Sequence, residues 1–152
     1  GVTYLDLSTI NSNLHGFWGG FATAEHAYFV PYANSYVARI SLTDFSPTGV
    51  SYLDLATINT NLKGFVDGFA AGEHAYFVPY NNNPSTPSRF GTVARILLTD
   101  FSFTGVSYLN LADYNANLKG FYGGFAAADH AWFVPYDNKS PQRHGIVARV
   151  RI

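Results

Sequence analysis

The residues best suited to chemistry recur as acid–histidine pairs: Glu25 with His26, Glu73 with His74, and Asp129 with His130. They stand in "GGFATAEHAYFVPY" (19–32), "DGFAAGEHAYFVPY" (67–80) and "GGFAAADHAWFVPY" (123–136). A carboxylate that orients an imidazole is an arrangement used in general acid–base catalysis. The spacing argues against that use here. Each histidine opens a run of aromatic and β-branched residues that reads as a strand, and neighbouring strand residues point to opposite faces. The expectation is a satisfied polar network between neighbouring blades of the repeat, in which Arg39, Arg95 and Arg149 on the adjacent strand meet a carboxylate or a tyrosine hydroxyl. No catalytic residue and no enzymatic activity are expected.

Other chemistries fit less well. Three symmetry-related histidines at mid-strand would stand too far apart for zinc bonds of about 2.0–2.1 Å, so no metal is expected. "DYNAN" (113–117) begins like a calcium loop but lacks the glycine at the sixth place and the glutamate at the twelfth. There is no phosphate-binding glycine loop and no serine nucleophile elbow, and no cofactor is expected. The absence of cysteine removes disulfides and thiolate chemistry. A net charge of −1 with scattered basic residues lacks the positive stripe that nucleic acid requires. No apolar run approaches the roughly 20 residues that span a bilayer, so a membrane is not an expected partner either. The chain lacks Met and opens on Gly, as expected of a trimmed, fragmentary or engineered sequence.

The elements that position these residues come from internal repetition. Aligning Val2, Val50 and Val106 gives one domain, 1–152, of three repeats (2–49, 50–105 and 106–152). Of 31 aligned positions beginning at those valines, 18 are identical in all three copies. The copies differ in length at one place, between "VPY" and "VAR", where four, twelve and ten residues intervene. Length changes of that kind belong to a surface loop.

Each copy reads as four short strands. In the second these are "VSYLDL" (Val50 to Leu55), "GFVDGFA" (Gly64 to Ala70), "HAYFVPY" (His74 to Tyr80) and "VARILL" (Val93 to Leu98). The first and last are rich in β-branched and aliphatic residues. The second carries glycines where backbones approach closely, and the third holds its proline near the strand end, where a missing donor is tolerable. The Asn-rich segment can hold one helical turn. The fold class is therefore all-β, with twelve strands in three units.

Three four-stranded units suit a β-propeller, with one blade per unit, or a β-trefoil, which is complete at three. Strands apolar on both faces favour blades sandwiched between neighbours. The pattern "GF..GF....HAYFVPY....VARI.LTDF...GVSYLDL" resembles blades of repeat-built propellers and is loosely similar to the kelch and NHL types, over nearly the whole chain. It departs from an ideal repeat in its unequal loops and in Asn110, which stands where the other copies have Asp6 and Asp54.

Three blades cannot close a ring, because propellers have about 4 to 8. The chain opens on the fourth strand type and closes on the third, so its ends are offset by one strand. The expectation is a homodimer forming a six-bladed ring, in which strand 2–7 of one copy pairs with strand 147–152 of the other. In such blades the Asn-rich and variable loops share one face. Asn11, Asn13, Asn59, Asn61, Asn115 and Asn117 offer the donors and acceptors a sugar needs, and Trp18 and Tyr122 could stack on a ligand. Asn in a turn also bonds its own backbone. The favoured function is a non-enzymatic self-assembling scaffold. The alternative is a lectin-like module binding carbohydrate on the Asn-rich face.

Overall fold

The "VARI" and "VSYL" runs pair as antiparallel neighbours, and each "GF..GF" run pairs with the "HAYFVP" run that follows it. In the computed structural model, which describes residues 1–83, 88–139 and 143–152, this yields eleven strands among the described residues. The middles of the second and third variable loops lie outside them. Strands β1 (Phe17–Ala22), β2 (His26–Pro31), β3 (Tyr36–Ser41) and β4 (Val50–Asp54) form the first sheet, in chain order. The middle sheet repeats this with β5 (Phe65–Ala71), β6 (His74–Pro79), β7 (Thr92–Leu97) and β8 (Val106–Asn110). The last sheet holds three strands: β9 (Phe121–Ala127), β10 (His130–Pro135) and β11 (Ala148–Arg151).

Two differences from the sequence reading stand out. Among the described residues eleven strands form rather than twelve, because residues 2–6 have no ladder partner there: Val2 is 95% and Tyr4 91% exposed. The sheets also pair no strands with one another among the described residues, so the three units do not share the common barrel that a trefoil requires. The architecture is all-β, with three antiparallel sheets side by side.

Local chemistry ends the strands where the sequence indicates. Pro31, Pro79 and Pro135 close β2, β6 and β10, as residues without an amide donor should. After β4 and β8, the Asp54 and Asn110 side chains accept from the amides of Ala56 and Ala112 and start single 3-10 turns, Leu55–Thr57 and Leu111–Asp113. Asp6 does the same for Leu7–Thr9, through the Ser8 amide at 2.9 Å. The turn from β3 to β4 is tied by Asp44 to Ser46 and Thr48, and its Gly49 is required because a Cβ there would lie 1.9 Å from the Asp44 carbonyl. Asp100, Ser102, Thr104 and Gly105 repeat the device before β8.

The core is two apolar layers between sheets. Tyr28, Val30, Val37 and Leu53 of the first sheet meet Ala75, Phe77, Ala94 and Ile96 of the middle sheet. On its other face the middle sheet presents Tyr76, Val78 and Val93 to Phe121, Ala131, Phe133 and Ala148 of the last sheet. A repeated knob and hole locks each layer: a Cβ on Gly68 would lie 2.6 Å from the Phe21 ring, and one on Gly124 would lie 2.3 Å from the Phe69 ring. Only glycine lets the aromatic seat that closely against the next backbone.

Candidate functional site

The acid–histidine pairs sit at the hairpin between the first two strands of each sheet. Asp129 and His130 correct the alternation argument: Asp129 Oδ1 lies 2.5 Å from His130 Nδ1. Asp129 belongs to the turn and not to the strand, so its side chain is free to swing back onto its neighbour. Glu25 and Glu73 are exposed turn residues too. Burial holds the His26 and His74 imidazoles below their usual pKa; Arg39 and Arg95 add to this, and Glu25 and Glu73 oppose it.

The arginines of the third strands do reach tyrosine hydroxyls. Arg39 Nη1 donates to Tyr28 Oη at 3.5 Å, and Arg95 Nη1 donates to Tyr76 Oη at 3.2 Å, with Arg95 Nε on Ser107 Oγ at 2.8 Å. In the last sheet Trp132 replaces the tyrosine, and Arg149 lies over its ring at 5.4 Å instead. These hydrogen bonds lie within single sheets, which corrects the expected satisfied network between blades: the contact of these arginines across sheets is Arg39 over the Phe101 ring, and the buried Arg39 Nε has no hydrogen-bond partner among the described residues.

The Asn-rich and variable loops do converge. Asn34 Nδ2 donates to the carbonyls of Asn13 and His15, and Asn138 Nδ2 reaches Asn117 Oδ1 at 3.3 Å. Asn11, Asn59 and Asn115 use their side-chain oxygens on the amides of Asn13, Asn61 and Asn117, at 2.9, 3.0 and 3.0 Å. That is the turn-forming role of Asn, and it leaves their amide groups for other partners. Trp18 packs at 4.6 Å from Tyr32 and is 54% exposed; Tyr122 packs against Tyr80 and Tyr136 and is 45% exposed. Val66, their counterpart in the middle sheet, is buried. Arg89 covers the Tyr80 ring at 4.1 Å and bonds Asp137 Oδ2 at 2.6 Å. Burial works against ionisation of Asp137, but the Arg89 and Lys139 bonds together with the Arg89 charge outweigh it and hold the carboxyl below its usual range.

Single-residue reading missed the open flank of the last sheet. Phe125, Val134 and Val147 are about half exposed there, although their counterparts Val78 and Val93 are buried and Phe69 is mostly covered. Among the described residues the β11 edge has no strand beside it, and two grooves border it. One, of about 270 Å³, is lined by Tyr76, Val93, Arg95, Leu109, Val150 and Arg151. The other, of about 360 Å³, is lined by Leu109, Leu111, Leu118, Val147, Ala148 and Arg149. The repeat offset had already pointed to the edge at 147–152, but not to the half-exposed face beside it.

No family model matches the chain, and no curated protein matches it. Among solved structures it is similar to one titled "Structure of 2S albumin seed protein from Dolichos", at 15% identity and a TM-score of 0.43, over 96% of this chain and 75% of that one. A likeness of that degree transfers neither architecture nor function.

Proposed function

We propose that the chain is a non-enzymatic, self-assembling scaffold: half of a six-bladed β-propeller that closes as a head-to-tail homodimer. The observation that carries this reading is the repeated knob and hole. Phe21 seats on Gly68 and Phe69 on Gly124, which leaves one knob, Phe125, and one hole, Gly20, at opposite ends of the molecule. A surface that bears a knob at one end and its hole at the other is heterologous, and such interfaces generate closed rings or open fibres. Two chains supply six sheets, within the range in which propellers close.

Residues 2–7 complete the argument. They match the β4 and β8 segments at Val2, Tyr4, Leu5 and Leu7, and they have no ladder partner among the described residues. Within the chain Val37 pairs with Leu53 and Val93 with Leu109, so the same register sets Leu5 of one copy opposite Val147 of the next. The added strand would cover the β11 edge, which is otherwise an exposed template for pairing.

Light scattering on the eluting protein at micromolar concentration tests the reading. The expected mass is twice the 16.7 kDa of one chain, falling to one chain in Phe125→Arg. A monomeric parent protein overturns the proposal. Three chains would replace the six-bladed ring with nine blades.

The half-exposed Trp18 and Tyr122 favour a second reading, a lectin-like module, because flat aromatic faces stack on sugar rings. A glycan array should then lose its signal in Trp18→Ala and Tyr122→Ala, and an array without signal for the parent protein rejects it.

A further inference from the structure

We propose that Tyr122 and Tyr136 form an oxidative modification site, at which a one-electron oxidant couples their rings into an intramolecular dityrosine. The chain holds no cysteine and no methionine, so the sulfur atoms that oxidants attack most readily are missing, and tyrosine and tryptophan are left to supply the electrons. Tyr80, Tyr122 and Tyr136 stand together where the middle and last sheets meet. Their ring centres are 5.0 Å apart for Tyr122 and Tyr136, 5.4 Å for Tyr80 and Tyr122, and 6.2 Å for Tyr80 and Tyr136. Among the described residues the other close tyrosine pair is Tyr36 with Tyr52, at 6.4 Å.

The repeat singles out one pair. Tyr32, Tyr80 and Tyr136 are the same repeated residue, after Pro31, Pro79 and Pro135, whereas the place of Tyr122 is held by Trp18 in the first sheet and by Val66 in the middle one. The first sheet therefore sets Trp18 on Tyr32, at 4.6 Å, and the last sheet sets tyrosine on tyrosine. The backbone brings the two together. Phe121 pairs with Pro135, so Tyr122 and Tyr136, one residue on from each, are diagonal neighbours across the hairpin, a separation that aromatic side chains bridge. Tyr80 is the poorer electron donor of the three. Arg89 lies on its ring at 4.1 Å, and a cation on the face opposes removal of an electron; Arg143 stands farther from Tyr136, at 5.3 Å. Burial also holds the Tyr80 phenol above its usual pKa, against the opposing charge of Arg89, so it gives up its proton less readily.

The reaction needs two equivalents of the oxidant. Tyr122 and Tyr136 each pass one electron to it and the hydroxyl proton to water. The two phenoxyl radicals then pair at ring carbons next to the oxygen-bearing carbon, and one carbon–carbon bond forms. The hydrogens on those carbons move to the oxygens, which restores both phenols, so that two electrons and two protons have left in all. The new bond closes the β9–β10 hairpin covalently, and it restricts the unfolded chain as a disulfide would in a protein that had cysteine.

Brief photo-oxidation of dilute protein with tris(bipyridyl)ruthenium and persulfate tests the site. Dityrosine emission should appear, and denaturing mass spectrometry should show a single chain less two hydrogens. Cleavage after lysine and arginine and before aspartate should yield peptide 120–128 joined to peptide 129–136, each of which carries one tyrosine. Tyr122→Phe and Tyr136→Phe keep the ring and its packing, and each should remove that joined pair, whereas Tyr80→Phe should leave it. Links formed only between chains, a main link at any other tyrosine pair, or an undiminished yield in Tyr122→Phe would each overturn the site. So would an equal yield in denaturant, because closeness in sequence rather than the fold would then bring the rings together. Both tyrosines belong to one chain, so a monomer that forms the link would sink the ring and leave this site standing.

Discussion

Tyr76 and Trp132 occupy the same place in the repeat, as do Phe69 and Phe125, Val93 and Val147, and Gly91 and Gly145. The first of each pair lies in the middle sheet, which is covered on both faces; the second lies in the last sheet, which is covered on one. Near-identical sequence thus meets two environments inside one molecule. The difference separates what a residue does for its own sheet from what it does for a neighbouring sheet. Strand formation survives without the neighbour, since β9 to β11 form with one face open. Burial does not survive, and what remains is an apolar face of the kind that marks an interaction surface.

The sharpest way to break this comparison is to truncate the same phenylalanine in different sheets. Phe77 is fully buried between the first and middle sheets, whereas Phe29 on the open face of the first sheet is only partly covered. Phe77→Ala should cost about 3–5 kcal/mol of stability through lost transfer energy and a cavity. Phe29→Ala should cost roughly 1 kcal/mol at low protein concentration, because the water-facing part of its ring has no burial to lose. If copies stack head to tail, the Phe29→Ala cost should rise with concentration while the Phe77→Ala cost stays fixed. Denaturant unfolding at two concentrations reads both.

Glycine gives the next largest effect. A Cβ on Gly91 would lie 2.1 Å from the Leu118 carbonyl, whereas one on Gly145 would meet nothing within 4 Å. Gly91→Ala should therefore destabilise by about 1–3 kcal/mol, since backbone has to move, and Gly145→Ala should stay within about 0.5 kcal/mol in the monomer. In the ring, the residue facing Gly145 would be the Leu14 carbonyl of the next copy, by the match of Leu14 to Leu118. Gly145→Ala should then weaken the dimer without unfolding the chain. A dimer indifferent to it would argue against the proposed register.

A smaller step concerns the arginine networks. Tyr76→Phe removes the hydroxyl that accepts from Arg95 and should cost about 1 kcal/mol. Tyr28→Phe should cost less, because its bond from Arg39 is 3.5 Å long.

These contrasts also mark what could be read from sequence. The three-fold repeat, the strand bounds and the proline-terminated second strands follow from period, β-propensity and the missing proline donor, all of them local. The Asx role of Asn11, Asn59 and Asn115 was legible for the same reason, since the acceptor and amide are two residues apart. The seating of Phe21 on Gly68 spans 47 residues and two sheets, and nothing in either segment alone indicates it. The Asp129–His130 contact was misjudged because alternation applies within a strand, and Asp129 stops one residue short of β10. Residues 2–7 read as a strand by propensity and repeat, but a ladder needs a partner, and among the described residues they have none.

The smallest expected effect is a pH dependence centred on the first and middle sheets. Burial, followed by the charges of Arg39 and Arg95, lowers the His26 and His74 pKa values, so the fold favours the neutral imidazole. The unfolded chain titrates near 6.5, as a model histidine does. Just below that pH the unfolded state binds more protons than the folded one, and stability must fall as pH falls. The contribution is fully present above about 6.5 and is lost on acidification through the lowered folded values. The carboxyls of Asp44, Asp100 and Asp137 are also held low, but their contributions begin to fade only on approach to the carboxylate range near 3.8. Between about pH 6.5 and 5 the histidines therefore act alone among these groups. Denaturant midpoints should drop across that window in the parent protein and flatten in His26→Asn/His74→Asn. Hydrogen exchange should place the loss at β2 and β6, where the two imidazoles begin their strands. A drop that persists in the double variant would show that the acid sensitivity belongs elsewhere in the molecule.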